Sequence, residues 1–445
     1  MFSSIFVPDA MREATSDRAW LQAMLDVEAA LAAAESRVGL IPAKAAEAIG
    51  VCCTAERYDL ERLAREGRGA GNPIEPLVRA LASEVPADAA RYVHWGATSQ
   101  DVLDTAAMIV ARRALDLILI DIDGVADACA KLARAHRSTL MAGRTLLQQA
   151  VPITFGFKAA GWLVAIVEVR QRLARVRSSG LNAQFGGAAG TLASLGAHGV
   201  QVLGRLAQEL ELAEPPVPWH TARFYVADLG AALALASGTL AKLALDVSLL
   251  AQTEVGEARE HSPDGRGSSS TMPHKRNPVG ATLAAACARQ VQACAGVLFA
   301  AMAQEHERAV GAWHAEWHAL SQALAFTGGA AAWVRDVIEH LEVRPDRMRE
   351  NLESTGGLLL SEHVMMVLSE RLGRPEAKRR VEAACARVVH DGRLLREELL
   401  SDPGVAGHLS AEEIDRALDP AGYLGSADAF IERALECHRR EVGSR

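Results

Sequence analysis

Residues Ala231–Gln252 read AALALASGTLAKLALDVSLLAQ, a stretch without proline in which only Lys242 and Asp246 carry charge. Leucine, alanine and valine recur at three- and four-residue spacing, the period of a helix. A helix apolar on most of its sides must be surrounded by other protein. The two charges inside the stretch argue for a buried helix over a membrane span. The same periodicity predicts helices over Thr105–His136, Phe155–Arg177, Asp228–His261 and Gly280–Gln304. A helix of about 30 residues extends roughly 45 Å, so these are rods, and rods in succession bury one another as a bundle. Alternating strand patterns are nearly absent. The expected fold class is all-α.

Glycine and proline divide the chain into three helical domains. Shorter helices with breaks at Gly39–Pro42 and Gly67–Pro76 precede a central long-helix bundle, and beyond Val343–Pro345 breaks at Gly373–Pro375, Asp402–Gly404 and Asp419–Gly425 shorten the helices again. The domains are placed at residues 1–93, 94–340 and 341–445. An aromatic share of only 4% leaves alanine, leucine and valine to fill the core, and small side chains let helices approach closely. A net charge of −8 argues against nucleic acid or an anionic membrane surface as the main partner. An anionic substrate would need local cations. The seven cysteines include no CxxC pair. An odd count, with no basic-then-apolar leader in MFSSIFVPDAMREATSDR, reads as reduced thiols in a cytoplasm.

Three polar, glycine-bearing segments interrupt the rods: HWGATSQDVLDT (His94–Thr105), GRTLLQQAVPITF (Gly143–Phe155) and SPDGRGSSSTMPHKRNP (Ser262–Pro278). Loops held by rigid rods are where chemistry is commonly placed. The third is the densest. Three hydroxyls, Ser268, Ser269 and Ser270, stand among Gly265, Gly267 and Pro273, and Lys275, Arg276 and Asn277 follow. Hydroxyls beside fixed cations suit an anion or an alkoxide.

Ser269 to Pro278, SSTMPHKRNP, resembles the SSxMPxKxNP signature of the fumarase/aspartase superfamily, with Ser268 where most members have glycine. HWGATSQDVLDT and GRTLLQQAVPITFG resemble that superfamily's other two shared regions. AMREATSDRAWLQAMLDVEAALAAAE, QEHERAVGAWHAEW and LDPAGYLG carry a further resemblance to its cycloisomerases of carboxymuconate, so the likeness spans nearly the whole chain. It implies chemistry through an aci-carboxylate, a carbanion next to a carboxylate, without cofactor or metal. A base must reach the proton and donors must face the growing charge. By the resemblance, Ser269 is that base when deprotonated, Lys275 favours its alkoxide, and Asn277 with Lys275 holds a substrate carboxylate. Ser270, Met272 and Gln148 fall in the same shared regions as expected substrate contacts. Thr98 and Ser99 offer hydroxyls, and His94, Arg144 and Arg308 are candidate carboxylate clamps, each with an ion pair between helices as its alternative.

One group is missing. Relatives resembling adenylosuccinate lyase carry a histidine where this chain has Leu146, paired with a glutamate where it has Thr282, and some cycloisomerases have a histidine at the position of Gln149. Leucine cannot protonate a leaving group. A carboxylate, with a parent acid near pKa 4, leaves without help. The pattern therefore favours lactone closure of 3-carboxymuconate. It also admits nitrite release from nitrosuccinate, and a catalytically silent structural member is the alternative of another class. His314 and His318 are spaced for a metal, but two histidines are too few, and a polar seam between helices is the reading preferred for them and Glu316. Trp313 and Trp317 are read as packing. The resemblance further implies a homotetramer whose active sites mix chains and a small polycarboxylate as substrate.

Overall fold

The computed structural model describes residues 2–261, 267, 271–272 and 274–443. They form two compact units: Met1–Asp123, Glu168–Lys242 and Leu283–Val334 in the first, and Gly124–Val167, Leu243–Thr282 and Arg335–Arg445 in the second. The elements used below are α1 (Asp17–Arg37), α2 (Ser99–Ala135), β1 (Leu140–Thr145), β2 (Gln148–Thr154), α3 (Phe155–Arg175), α4 (Phe224–Leu250), β3 (Ala258–Glu260), α5 (Val279–Ala300), α6 (Ala312–Glu339), β4 (Leu341–Val343) and α7 (Pro345–Glu353). The architecture is all-α with long rods, as the periodicity predicts.

In the first unit α1 starts at Ser16, whose hydroxyl accepts from Ala19 N at 3.1 Å, a standard N-cap. Its buried stripe runs Leu21, Leu25, Glu28, Leu31 and Glu35, so two carboxylates sit where apolar residues would be expected. The first turns of α2, from Val102 through Leu115, are buried almost throughout. In the second unit, Leu352 and Leu359 pack on Ala142 of β1. A separate cluster of Val364, Leu368, Ala377, Val381 and Leu399 knits together the short helices near the end of the chain.

Three expected boundaries move. Helix α2 begins at Ser99 and not at Thr105, its first turn held by Asp101, which accepts from Thr98 N. Helix α4 stops at Leu250, eleven residues before the periodicity does. There Glu257 N bonds back to Leu250 O at 2.9 Å and Gly256 N to Gln252 O at 2.7 Å, and the chain enters β3, antiparallel to β4. The segment Gly143–Phe155 lies largely in an antiparallel hairpin of β1 and β2, with Arg144 opposite Gln149. Its tip is Leu146 and Leu147, both at positive φ (51° and 67°) and strongly exposed.

Helices α4 and α5 are long and apolar enough to cross a membrane, yet 50% and 39% of their most apolar windows are already buried within the chain. They are core helices that still leave apolar surface uncovered. All seven cysteines are unpaired thiols.

Candidate active site

The expected residues divide between the units. In the first, the segment His94–Asp101 is organised by one carboxylate. Asp101, 2% exposed, accepts from Thr98 N at 3.0 Å, Gly186 N and Gly187 N at 2.9 Å each and His220 Nε2 at 2.6 Å. The bond to Thr98 N is half of a capping box, and the negative charge suits the N-terminus of α2. Together these bonds fix the Gly186–Ala188 segment against the first turn. Thr98 and Ser99 are half-buried, and among the described residues no hydrogen bond occupies either hydroxyl.

Arg308 closes the same cluster. Its guanidinium donates to Gln100 Oε1 and Ala188 O at 2.8 Å each and to Gly187 O at 3.3 Å. Every one of these acceptors is neutral, so the fork is held in place while its charge is unanswered by a carboxylate among the described residues. That is what an anion clamp requires, and it favours the clamp over the ion-pair alternative. His94 adopts left-handed backbone, φ 58°, uncommon for a residue with a Cβ. Its Nδ1 lies 2.6 Å from Oε1 of the fully buried Glu28. Burial works against a charged imidazole here, but the charge and hydrogen bond of Glu28, with Asp101 behind, outweigh it and hold His94 above its ordinary range.

The helix turn at 313–318 is the expected polar seam. Arg223, 2% exposed, is clasped by Asp104 (2.7 and 3.0 Å) and Glu316, and lies 4.9 Å over the ring of Trp219. Trp313 Nε1 donates to Asp104 Oδ1 at 2.9 Å. Trp313 and Trp317 meet edge to face at 4.8 Å. His314 bonds to Gly71 O and His318 to Gln322, so Glu316 and the two histidines serve separate contacts.

In the second unit Arg144 takes the ion-pair alternative given for it. Its guanidinium pairs fork to fork with the fully buried Glu257, at 2.8 and 2.6 Å, and Asn351 Nδ2 donates to the same carboxylate at 2.8 Å. A buried carboxylate without its cation would be strongly unfavourable, so the charge of Arg144 is committed to anchoring the hairpin and is not a free clamp. Gln148 is exposed at the tip, beside Leu146. Oε1 of Gln149 is buried with no partner among the described residues.

The signature loop is tied at its base. Glu260, the last residue of β3, accepts from Gly280 N at 2.9 Å and Ala281 N at 2.8 Å, capping α5. Inside the loop, Asn277 donates through its backbone N (2.9 Å) and Nδ2 (3.1 Å) to Gly267 O. Gly267 has φ 81°, and a Cβ there would stand 2.5 Å from Asn277 O, so no other residue fits. Lys275 N bonds to Met272 O at 3.0 Å. Lys275 and Met272 are exposed and Asn277 is half-buried. Ser268, Ser269, Ser270 and Pro273 lie outside the described residues. Thr282 donates to Pro278 O at 2.7 Å, a helix-start bond in place of the glutamate of other relatives.

Glu28, Asp101, Glu257 and Glu260 were not among the expected site residues. Asp101 was legible as the acid three residues after Thr98. Glu28 was legible as a carboxylate on an apolar stripe. Glu257 and Glu260 carry no local signal, because their partners are distant in sequence.

This chain belongs to the fumarase/aspartase superfamily of lyases. The lyase family model matches residues 7–293 and the adenylosuccinate lyase C-terminus model residues 357–434. It is 48% identical to 3-carboxy-cis,cis-muconate cycloisomerase of Bradyrhizobium diazoefficiens over 97% of this chain and 96% of that one. To nitrosuccinate lyase of Streptomyces davaonensis it is 46% identical over 100% and 96%. The crystal structure of 3-carboxy-cis,cis-muconate lactonizing enzyme from Pseudomonas putida superposes with a TM-score of 0.94 at 46% identity, covering 99% of each chain.

Proposed function

We propose that this chain is a cofactor-free cycloisomerase that closes 3-carboxy-cis,cis-muconate to a carboxymuconolactone. The observation that carries the reading is an anion site without a leaving-group acid. Arg308 is held by neutral acceptors, His94 is held above its ordinary range by Glu28, and the family's histidine position is Leu146, 96% exposed at a hairpin tip. In lactonisation a substrate carboxylate oxygen bonds to a carbon of the double bond, and the electron pair moves to the carbon next to a second carboxylate. Ser269 then gives its hydroxyl proton to that carbon and is left as an alkoxide beside Lys275. Nothing has to protonate the attacking or departing group, because a carboxylate is already a stable anion. Folding a flexible triacid into its closing geometry supplies the rest, a proximity effect.

Ser269, Lys275 and Asn277 are the proposed catalytic set. His94, Thr98, Ser99, Gln148, Ser270, Met272 and Arg308 are the proposed substrate contacts, and Arg144 supports the hairpin that carries Gln148. The proposed domains are 1–93, 94–340 and 341–445. First-unit and second-unit residues would meet across copies of the chain in a cytoplasmic homotetramer. Exposed Leu235, Leu245, Val297 and Phe299 on α4 and α5 support that assembly.

A nitrosuccinate relative of equal coverage sustains the second reading, since nitrite also leaves as a stable anion. Two assays separate them: loss of diene absorbance from 3-carboxy-cis,cis-muconate, and nitrite from nitrosuccinate. Turnover in the first with none in the second supports the cycloisomerase; the reverse replaces it; silence with every carboxylated alkene and succinate derivative would favour a structural member. Ser269→Ala should lower turnover by at least about a thousandfold with the assembly intact, and substantial residual rate would remove its assigned role.

A further inference from the structure

We infer that Glu28 is a positioning residue: its buried carboxylate holds His94 as an imidazolium whose remaining N–H takes a carboxylate of the substrate. This deepens the reading of the chain as a polycarboxylate enzyme and rests on it.

Glu28 occupies a buried-stripe position of α1, where an aliphatic side chain would pack without cost. An ionised carboxylate persists there only beside a cation. The 2.6 Å contact between its Oε1 and His94 Nδ1 supplies one. Donating Nδ1–H to Glu28 fixes the ring and leaves Nε2–H as the only other donor. The ring is 17% exposed, whereas the Glu28 side chain is fully buried, so the charge is generated in the core and presented at its edge.

Glu28 and Asp101 are the charges that act on His94, and the other ionisable groups of α1 and the neighbouring segments have roles of their own. Asp101 of α2 is consumed by three amides and His220. Arg308 is held by carbonyl oxygens of Gln100, Gly187 and Ala188 and, being a cation, offers His94 no counter-charge. Asp26, on the same helix as Glu28, bonds Arg113 at 2.7 Å. Cys53, after the next helix, has its thiol pushed far up by burial and then by Glu28. Glu35, two turns along α1, is raised to about 9 by burial and then by Glu28, so it is neutral near pH 7. Among the described residues Glu28 is thus the acid bonded to His94. Without it, burial would work against the charge with only the weaker field of Asp101 opposing it.

The test is calorimetric binding of tricarballylate, a saturated triacid, to the whole enzyme at pH 5.5 and 7.5. Each variant is compared with the wild-type chain at the same pH, so that titration of the ligand cancels. Glu28→Gln should match the wild-type chain within about threefold at pH 5.5 and fall about tenfold behind at pH 7.5. Equal weakening at both pH values would mark Glu28 as merely structural and overturn the inference, as would no binding to the wild-type chain. Should Glu28→Gln not fold, His94→Gln decides: its deficit should shrink as pH rises and wild-type His94 loses its own charge, and a constant deficit overturns the inference. If binding behaves as expected but carboxymuconate is not turned over, the reaction assignment falls and the inference stands. If turnover is present and the Glu28→Gln defect is pH-independent, the inference falls and the assignment stands.

Discussion

A carboxylate on the buried stripe of a helix is unfavourable unless something answers it, and α1 answers its two differently. Glu28 has His94. Glu35 has neither oxygen bonded among the described residues, and burial followed by the nearby Glu28 charge lifts it from 4.5 to about 9. The folded chain therefore keeps a proton that the unfolded chain releases above about pH 4.5. Linkage gives the sign: the stability associated with Glu35 is present below that pH and is lost as pH rises toward 9. Glu35→Gln removes this slope. Melting at fixed protein concentration should show the variant gaining about 1–3 kcal/mol on the wild-type chain between pH 5 and pH 8; parallel curves would contradict it. Residue-scale chemistry was only partly legible in the sequence. Lys275, Asn277, His94 and Arg308 stand out as candidates from motif and charge. The commitment of Arg144 to Glu257 was not, because 113 positions separate the partners and no local pattern links them.

At the scale of elements, helices were readable because a buried stripe repeats over many turns, whereas the hairpin β1–β2 was hidden. Hairpin tips usually announce themselves with Asn-Gly or Gly-rich pairs that tolerate positive φ. Here two leucines take that conformation, against local preference, and departures of this kind concentrate at functional sites. The end of α4 was hidden for a similar reason: apolar periodicity continues past Leu250, and the stop comes from pairing with distant β4. The start of α5 depends on close approach. A Cβ on Gly280 would lie 2.5 Å from Val337 Cγ2 and 3.3 Å from Glu260 Oε2. Overpacking of that kind costs about 1–3 kcal/mol, more than the roughly 1 kcal/mol that alanine gains over glycine in a helix. Gly280→Ala should therefore lower the melting temperature by a few degrees and reduce kcat/KM by disturbing the Glu260 cap. An unchanged melt with full activity would show that Val337 yields without cost.

For the whole molecule, the sequence showed that α4 was too apolar to face water, and the structure leaves Leu235 60% and Leu245 53% exposed on it. Burying an aliphatic side chain of that size contributes about 1.5–3 kcal/mol, and repetition over several copies suffices for a stable core. On the proposed assembly with shared sites, replacing both by glutamate should reduce the mass seen by light scattering and abolish turnover together. A dissociated chain with full activity would contradict shared sites. The division of expected residues between two units is the whole-molecule feature that periodicity could not reveal, since it depends on which distant segments pack together.

The Glu260 tie has a consequence for how such enzymes diversify. The ends of the loop are fastened by the main-chain pairing of β3 with β4 and by the Glu260 carboxylate gripping the amides of Gly280 and Ala281, all outside positions 262 to 278. A relative's loop that keeps Gly267 and Asn277 should therefore graft onto the same ends as a cassette, leaving the scaffold outside it unaltered.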